Sequence, residues 1–318
     1  MSRAWGGGAP PTGSADGVAV PNSLRRKKGV SVFAILKKEE IGPKFWRFLI
    51  AAPDIARKHR PGQFVMVLID EDGERIPLTL ADSDPQAGTI TLVVQEVGKT
   101  TMQMGALPEG FELLSVVGPL GAPTHIEKVG TVVCVGGGAG IAPLLPIARG
   151  MRAAGNHVIS ILGGRTKELV ILRPEMEAAS DEVIYTTDDG SFGRQGLVTH
   201  ALTDLIAERG KPELVVAIGP AIMMKVVSDL TRRHGIRTLV SLNTIMIDGT
   251  GMCGGCRVTV GNEAKFVCVD GPEFDGHEVD FDLMMKRLRT YLPEEQAARE
   301  RYLRGEHTCQ AVKGARDA

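Results

Sequence analysis

The sequence has no apolar run approaching the roughly 18 residues that a membrane-spanning helix requires. It also has almost no net charge, since 37 Lys and Arg offset 38 Asp and Glu to leave −1. A balance of this kind gives no basic surface for nucleic acid. The seven histidines are scattered without metal-ligand spacing. We therefore expect no membrane span and no nucleic-acid partner, and the sequence singles out no catalytic side chain.

Cysteine is also scarce, with five residues in 318, and three of these fall within sixteen positions. So few and so clustered, they do not form the framework of a disulfide-stabilised secreted protein and are typical of a metal or redox site. Residues 1–28 are rich in Gly, Pro and Ser, lack the apolar core of a signal peptide and end in the basic run Arg25–Lys28. We expect a cytoplasmic protein whose first 28 residues are a disordered, solvated tail.

Residues 29–125 carry short, β-branched segments separated by turns such as RPGQ and DEDGE. Several short strands with turn signals between them predict a sandwich or a barrel. A short helix is expected at GKTTMQMGAL, capped by Thr100 or Thr101.

Residues 126–246 show a different rhythm, with continuous apolar strands alternating with amphipathic helices. The strands are TVVCV, HVISILGG, VIYTT, ELVVAIG and RTLVSLNTIM, and one of the helices is ELVILRPEMEAAS. This alternation predicts a doubly wound α/β domain with a five-stranded parallel sheet covered on both faces. A small cysteine-bearing module is expected at 247–280, and a helical tail around a proline turn at 281–318.

A glycine run, GGGAGIAP, lies between the first predicted strand and helix of the α/β domain. Its backbone can approach a pyrophosphate closely, and the N–H groups of the following helix start attract that charge. A simple tight turn remains an alternative. The candidate phosphate-binding residues of this loop are Gly136, Gly137, Gly138, Ala139 and Gly140.

Other candidate nucleotide contacts follow the later strands, because open α/β sheets bind ligands at the carboxyl ends of their strands. Asp188 and Asp189 follow the third strand, and Gly219 and Pro220 follow the fourth. Arg165 follows the second strand, where it would pair with a 2′-phosphate or stack on adenine, which leaves NAD and NADP both open.

The segment ERIPLTLADSD in the barrel region combines an arginine with a strand. Arg75 is placed to neutralise a flavin pyrophosphate and Thr79 to face the isoalloxazine edge, although a strand with one exposed arginine is the alternative. The predicted helix start offers N–H groups to the same phosphates. The candidate flavin-binding residues are Arg75, Pro77, Leu78, Thr79, Gly98, Lys99, Thr100 and Thr101.

Cys253 and Cys256 form a CxxC, and Cys268 follows in a valine-flanked segment that we expect to be a strand. Plant-type [2Fe–2S] clusters use the spacing C-x4-C-x2-C…C, and Asp248-x4-Cys253-x2-Cys256-x11-Cys268 repeats it with aspartate in the first place. The predicted iron ligands are therefore Asp248, Cys253, Cys256 and Cys268. A zinc site, or an empty one in which Asp248 only turns the chain, is the alternative. Cys134 is expected in the core, and Cys309 in a polar tail without function.

Together these motifs resemble the ferredoxin–NADP reductase superfamily over about residues 29–290. The likeness rests on ERIPLTLAD, GGGAGIAP, TTDDGSFG and FVCVDGPEFDGHEVDFD. Within the superfamily it is closest to the branch that holds two kinds of subunit. One is the electron-transfer subunit of dihydroorotate dehydrogenase, and the other is the small (alpha) subunit of NADH-dependent ferredoxin:NADP oxidoreductase, also called sulfide dehydrogenase subunit beta. The resemblance implies that dihydroorotate dehydrogenase subunits carry cysteine where Asp248 stands, which favours the second type.

The resemblance implies an FAD-binding barrel, an NAD(P)-binding domain and a [2Fe–2S] module. Hydride would pass between NAD(H) and FAD, and single electrons would pass through the cluster. It further implies a larger partner with its own FAD and iron–sulfur sites, related to the glutamate synthase small subunit and serving electron bifurcation, with ferredoxin as an indirect partner. The alternatives are an electron-transfer subunit of dihydroorotate dehydrogenase and, from another class, a zinc-binding structural or regulatory subunit without flavin.

Overall fold

The computed structural model describes residues 33–306. The expectations for the N-terminal tail, including Arg25–Lys28, and for Cys309 fall outside these residues and stay predictions. No helix within 33–306 is both long and apolar enough to cross a membrane.

Antiparallel strands form the first part of the described chain, because alternate residues turn to one apolar core. In the strand Thr89–Gln95, Ile90, Leu92 and Val94 are buried. The strands are β1 Phe33–Gly42, β2 Phe45–Ala51, β3 Phe64–Leu68, β4 Ile76–Asp84, β5 Thr89–Gln95, β6 Glu112–Leu113 and β7 Ser115–Leu120, with helices α1 Pro53–Ala56 and α2 Lys99–Ala106.

The sheet order is β6-β1-β2-β5-β4-β3-β7. The two edge strands are separated along the chain by Leu114 alone, whose N–H donates to the carbonyl of Ile69 at 3.2 Å. A sheet whose edges are joined so closely curls into a nearly closed barrel, which agrees with the predicted sandwich or barrel class.

A second sheet follows, with helices against both faces. Its elements are β8 Thr131–Gly137, α3 Ile141–Ala153, β9 His157–Gly164, α4 Arg173–Ala179, β10 Glu182–Thr187, β11 Arg194–Gln195, α5 Val198–Arg209, β12 Leu214–Ile218, α6 Ala221–His234 and β13 Arg237–Ser241. Alternate residues of β8 separate the two cores: Val132 and Cys134 face α3 and α4, whereas Val133 and Val135 face α5 and α6.

The remaining elements lie in the cysteine-bearing segment and in a helical segment around Pro293. They are β14 Arg257–Val260, β15 Glu263–Phe266, α7 Val267–Asp270, β16 Glu273–Asp275, α8 Phe281–Leu288 and α9 Leu292–Leu303. Strands β14 and β15 form a two-stranded antiparallel hairpin.

The second sheet differs from the predicted five parallel strands. It is a seven-stranded mixed sheet in the order β11-β10-β9-β8-β12-β13-β16. Strand β11 has two residues, too short for a periodic signal, and β16 pairs antiparallel with β13 from within the range predicted for the cysteine module. The last strand therefore lies outside the predicted range 126–246.

Two further predictions, one of an element type and one of a helix start, were wrong. Cys268 lies in the short helix α7, because the Asp270 carboxylate accepts the Phe266 N–H at 2.6 Å and closes a turn there. The predicted helix ELVILRPEMEAAS begins only at Arg173. Pro174 has no N–H to donate and is suited to the first turn of a helix, so the helix does not extend back to Glu168.

Packing of α3 against the sheet gives a first prediction. Leu144 is fully buried beside Gly136, so Leu144→Ala should lower the free energy of unfolding by about 2–5 kcal/mol through lost apolar burial and a residual cavity. Urea unfolding measures the change. Leu303→Ala in α9, where the side chain is 56% exposed, is the control and should stay within about 0.5 kcal/mol. Equal effects of the two substitutions would contradict this packing.

Candidate cofactor and iron–sulfur sites

A crevice of about 880 Å³ opens between the barrel and the carboxyl ends of the parallel strands. Its walls are mainly apolar with a few polar groups, as in pockets for cofactors. The predicted residues that line it are Pro77, Leu78, Thr79, Thr101, Gly137, Gly138, Ala139, Gly140, Arg165, Asp188, Gly219 and Pro220. Residues from both halves of the fold thus meet in one cavity.

The floor of the crevice lies where the strand order reverses. From β8 the chain proceeds outward to β9 and β10, then returns to β12 on the other side of β8. Dinucleotides bind at such switch points in open sheets. A Cβ atom on Gly137 would lie 2.6 Å from Met223 Sδ, and one on Gly219 would lie 2.7 Å from Met223 Cε. Glycine at both positions lets the two loop ends lie close together beside the Met223 side chain.

The start of α3 lies at the floor of the crevice. Gly140 is its N-cap, no side chain caps the helix, and no acidic residue lies in its first turn. The Ile141 N–H donates to the Gly138 carbonyl and Pro143 has no N–H, so it is the positive end of the helix dipole that favours a phosphate at this place. A Cβ atom on Gly140 would collide with the Ile218 carbonyl. Gly136 differs from the rest of the loop: it is buried in β8 against Leu144, where it serves packing.

Arg165 and Asp188 stand at the outer end of the crevice, and both are exposed. The loops after β9 and β10 are held together by Asp188 N–H donating to the Gly164 carbonyl at 3.1 Å. Asp189 turns away to accept the Ser191 N–H and hydroxyl, which lower its pKa. Asp189 therefore shapes the loop, while Arg165 and Asp188 face the cavity.

On the barrel side, Pro77, Leu78 and Thr79 of β4 form the wall together with Thr101. Thr101 Oγ1 accepts the Gly98 N–H at 3.0 Å and so closes the first turn of α2. Glu74 lies across this helix start: it accepts the Thr100 hydroxyl at 3.1 Å and lies 3.8 Å from Lys99 Nζ.

Arg75 is exposed just before β4. Within residues 33–306 it has no ion-pair partner, which leaves its guanidinium available to an anion. Arg75, Gly98, Lys99 and Thr100 thus surround the α2 start without lining the cavity itself.

Several residues that line the crevice were not predicted. They are mostly apolar side chains or strand ends without a distinctive motif, and they include Phe45, Val93, Ile222, Met223, Leu242 and Asn243. The only available signal was the polar Asn243 directly after an apolar strand, at a position where the carboxyl ends of strands bind ligands.

The four predicted iron ligands form two pairs. Asp248 Oδ1 lies 3.3 Å from Cys253 Sγ, and Cys256 Sγ lies 3.2 Å from Cys268 Sγ. Within residues 33–306, no three His, Cys, Asp or Glu side chains converge around one point suited to a single metal ion. A tetrahedral zinc site needs all four ligands around one ion, whereas a two-iron cluster needs two ligands for each iron. The arrangement fits the cluster and not the zinc alternative.

The pKa values of two of the ligands, Asp248 and Cys268, are shifted by their surroundings. Burial raises the pKa of Asp248, but hydrogen bonds from Cys253 and Thr250 and from the Met252 N–H outweigh it and hold the pKa at about 2. Burial and the neighbouring Cys256 raise the pKa of Cys268 to about 12. Thiols bind metal as thiolates, so metal binding must release the proton of Cys268.

The loop that carries the ligands lies on the barrel. Gly249 has φ +75°, and a Cβ atom there would lie 2.5 Å from Met66 Cγ of β3. Gly251, at φ +88°, lies similarly close to Val269. Both positions require glycine, because other residues rarely adopt positive φ and have no room here. The ligand loop is therefore pressed between the barrel and α7.

Comparison with known proteins decides the family. Residues 243–280 match the iron–sulfur cluster binding domain of dihydroorotate dehydrogenase B, and residues 134–229 match the oxidoreductase NAD-binding domain. The dihydroorotate dehydrogenase B (NAD(+)) electron transfer subunit homolog of Thermotoga maritima is 49% identical, with 87% of this chain and 97% of that protein covered. The chain belongs to the family of dihydroorotate dehydrogenase B electron-transfer subunits.

Two further relatives bear on this family member. A probable electron transfer subunit of dihydroorotate dehydrogenase B from Methanopyrus kandleri is 35% identical over 72% of this chain and 84% of its own length. A solved structure of NADH-dependent reduced ferredoxin–NADP oxidoreductase, a flavin-based electron-bifurcating system, matches with TM-score 0.82 and 47% identity, and covers 87% of this chain and 99% of that chain. These findings support FAD, an iron–sulfur cluster and NAD(H) as cofactors.

The close approach at Gly140 gives a second prediction. Gly140→Ala should weaken NAD(H) binding by roughly tenfold or more, because the methyl group pushes the turn away from Ile218 and costs about 1–3 kcal/mol of overpacking. Isothermal titration with NADH measures the affinity. Ala153→Ser at the opposite end of the same helix, at an exposed position outside the crevice, is the control and should bind as wild type does. Unchanged affinity in Gly140→Ala would show that this turn does not hold the nucleotide.

Proposed function

We propose that the chain is an electron-transfer oxidoreductase subunit. It moves hydride between NAD(H) and FAD, and single electrons through a [2Fe–2S] cluster to or from a larger flavoprotein subunit. The observation that carries the proposal is the pairing of Asp248 with Cys253 and of Cys256 with Cys268, on a loop packed against the barrel. A flavin exchanges two electrons and such a cluster one, so the pair of cofactors divides a hydride into single electrons.

The proposal assigns one cofactor to each part of the chain. Residues 29–125 bind FAD, 126–246 bind NAD(H), and 247–280 bind the cluster. The support is that one crevice is lined by both the β4 segment and the glycine loop after β8, while the ligand loop lies behind the barrel strand β3.

The mechanism we propose for the protein itself is positioning. The positive end of the α3 helix dipole holds the nucleotide phosphates, and Gly137 and Gly219 leave space for the dinucleotide to reach the floor. Arg75 and the start of α2 hold the flavin phosphates, with Thr79 against the ring edge. Apolar walls, including Phe45 and Val93, exclude water from the crevice. The cofactors supply the hydride and single-electron chemistry when bound.

Asp248 has a distinct role in this proposal. Its carboxylate is already ionised without metal and accepts the N–H groups of Thr250, Met252 and Cys253 at 3.0–3.3 Å. These bonds arrange the loop before iron arrives, and the three cysteines then release protons as they bind.

The proposed partner is a larger subunit with its own FAD and iron–sulfur sites, resembling the glutamate synthase small subunit, with ferredoxin as an indirect partner. The structural neighbour at 47% identity supports this bifurcating type. The dihydroorotate dehydrogenase alternative is supported by the sequence relatives, which are named as electron transfer subunits of dihydroorotate dehydrogenase B. Copurification from the native source separates them, since a barrel-fold dihydroorotate dehydrogenase would accompany the alternative.

The clustered free cysteines agree with a reducing compartment, and we place the protein in the cytoplasm.

Metal content gives a third prediction. Anaerobically prepared protein should hold about two iron atoms per chain with the visible absorption of a [2Fe–2S] cluster and a flavin, and NADH should bleach it. Cys268→Ala should lose most of the iron because one of the two ligand pairs is broken. Cys134→Ala, a fully buried core cysteine outside the site, is the control and should retain it. Colourless protein with one zinc per chain would refute the proposal.

Flavin affinity gives a fourth prediction. Arg75→Ala should raise the FAD dissociation constant by about tenfold or more, since charge-assisted hydrogen bonds contribute about 1.5–3 kcal/mol. Flavin fluorescence titration of the apoprotein measures it. Arg57→Ala, an exposed barrel arginine paired with Asp54, is the control and should leave the constant unchanged. If both variants bind alike, Arg75 does not contact the flavin.

A further inference from the structure

One five-residue segment, Gly271–Asp275, joins the three parts of the fold. It begins three residues after the iron ligand Cys268. On one side the Gly271 carbonyl accepts the N–H of Ala122, in the barrel exit, at 2.6 Å. On the other side the Pro272 carbonyl accepts the N–H of Leu242 at 2.9 Å, and β16 pairs with β13. Movement of this segment would therefore change the position of the cluster loop relative to both cofactor-binding sides of the crevice.

The segment buries a carboxyl group at the junction. Glu273 Oε1 accepts the Thr124 hydroxyl at 2.5 Å, and a Cβ atom on Gly62 would lie 3.0 Å from the same oxygen. Burial raises the pKa of Glu273 to about 7, and the Thr124 hydrogen bond opposes that rise. Contacts between packed layers are ordinarily made by apolar residues. A charged carboxylate buried in such a contact costs free energy unless it is paired and hydrogen-bonded.

No cation offsets the Glu273 carboxylate within residues 33–306. Cys134 in β8 is the titratable neighbour whose own pKa Glu273 helps raise, after burial. Arg60 in the barrel turn is exposed. His125 and Arg237 lie within ion-pair distance of Glu127, Arg149 of Asp82, and Arg152 of Asp181. Lys128 in the linker has no ion-pair partner within residues 33–306, and its side chain lies beside Gly155.

Building on the proposed function, we infer that Glu273 is a positioning residue for electron transfer between flavin and cluster. Through Thr124 it joins the segment after Cys268 to the barrel, and because burial disfavours the carboxylate more than the Thr124 hydrogen bond favours it, ionisation loosens that junction. The neutral carboxyl fits the buried site, whereas the carboxylate favours arrangements that admit water.

The direction of the pH effect follows from the raised pKa. The contribution of Glu273 to stability is fully present below the ordinary pKa of 4.5 and is lost as pH rises through about 7. The junction is therefore tighter at pH 6 than at pH 8.5. The ratio of neutral to ionised carboxyl changes about tenfold for each pH unit.

The test is stopped-flow reduction of the cofactor-loaded protein by NADH, followed at flavin and cluster wavelengths from pH 6 to pH 8.5. In wild type, the electron-transfer step from flavin to cluster should slow by about fivefold or more across this range.

Glu273→Gln, which stays neutral, should keep the low-pH rate throughout. Thr124→Val should raise the pH midpoint of this change in rate, because the hydrogen bond that it removes stabilises the ionised carboxylate of Glu273. Glu278→Gln, at an exposed carboxylate five residues after Glu273, should behave as wild type.

A second readout does not depend on turnover. In wild type, the rate of hydrogen exchange at the Ala122 and Leu242 amides should rise with pH more steeply than the intrinsic rate of amide exchange does. In Glu273→Gln it should follow the intrinsic rate. If Glu273→Gln does not fold, the midpoint shift in Thr124→Val decides the matter.

The inference is overturned if the wild-type rate is independent of pH, if Glu273→Gln follows the wild-type profile, or if Thr124→Val leaves the midpoint in place. A wild type that shows no flavin reduction by NADH, or no cluster signal, overturns the proposed function instead.

Discussion

The contact between Gly249 and the barrel strand β3 is the constraint on which the rest of the arrangement depends. Because this position has positive φ and no room for a Cβ atom beside Met66, the backbone next to Asp248 lies directly on the barrel wall. Met66 of β3 lies directly opposite Pro77 of the neighbouring strand β4, and β4 lines the crevice. The candidate ligand loop and the cofactor crevice are therefore set against neighbouring strands of one barrel.

The crevice and the cluster loop differ in the charge that they present. The crevice presents the positive end of the α3 dipole, and the exposed Arg75 lies beside the start of α2; both suit the phosphates of dinucleotides. The cluster loop presents an ionised carboxylate that accepts the N–H groups of Thr250, Met252 and Cys253, so hydrogen bonds to Asp248 shape the loop. The pairing of ligands into two sets selects a two-iron cluster over a single metal ion.

Sequence patterns predicted most of the elements and the residues that meet in the crevice, because glycine loops and cysteine spacing depend on local backbone geometry. They did not predict β16, whose three residues find their partner strand only after the cysteine module has folded back. Nor did they predict that Cys268 lies in a helix, where the Asp270 side chain overrides the β preference of its valine neighbours. Glu273 and Asn243 were missed for the same reason: their roles come from long-range contacts that leave no local motif.

The most direct test of the account is anomalous diffraction at the iron edge from crystals of the cofactor-loaded protein. The account predicts two iron peaks beside the barrel strand β3, one bound by Asp248 and Cys253 and the other by Cys256 and Cys268. A single metal peak shared by all four side chains, or two peaks with Asp248 turned away from both, would contradict it.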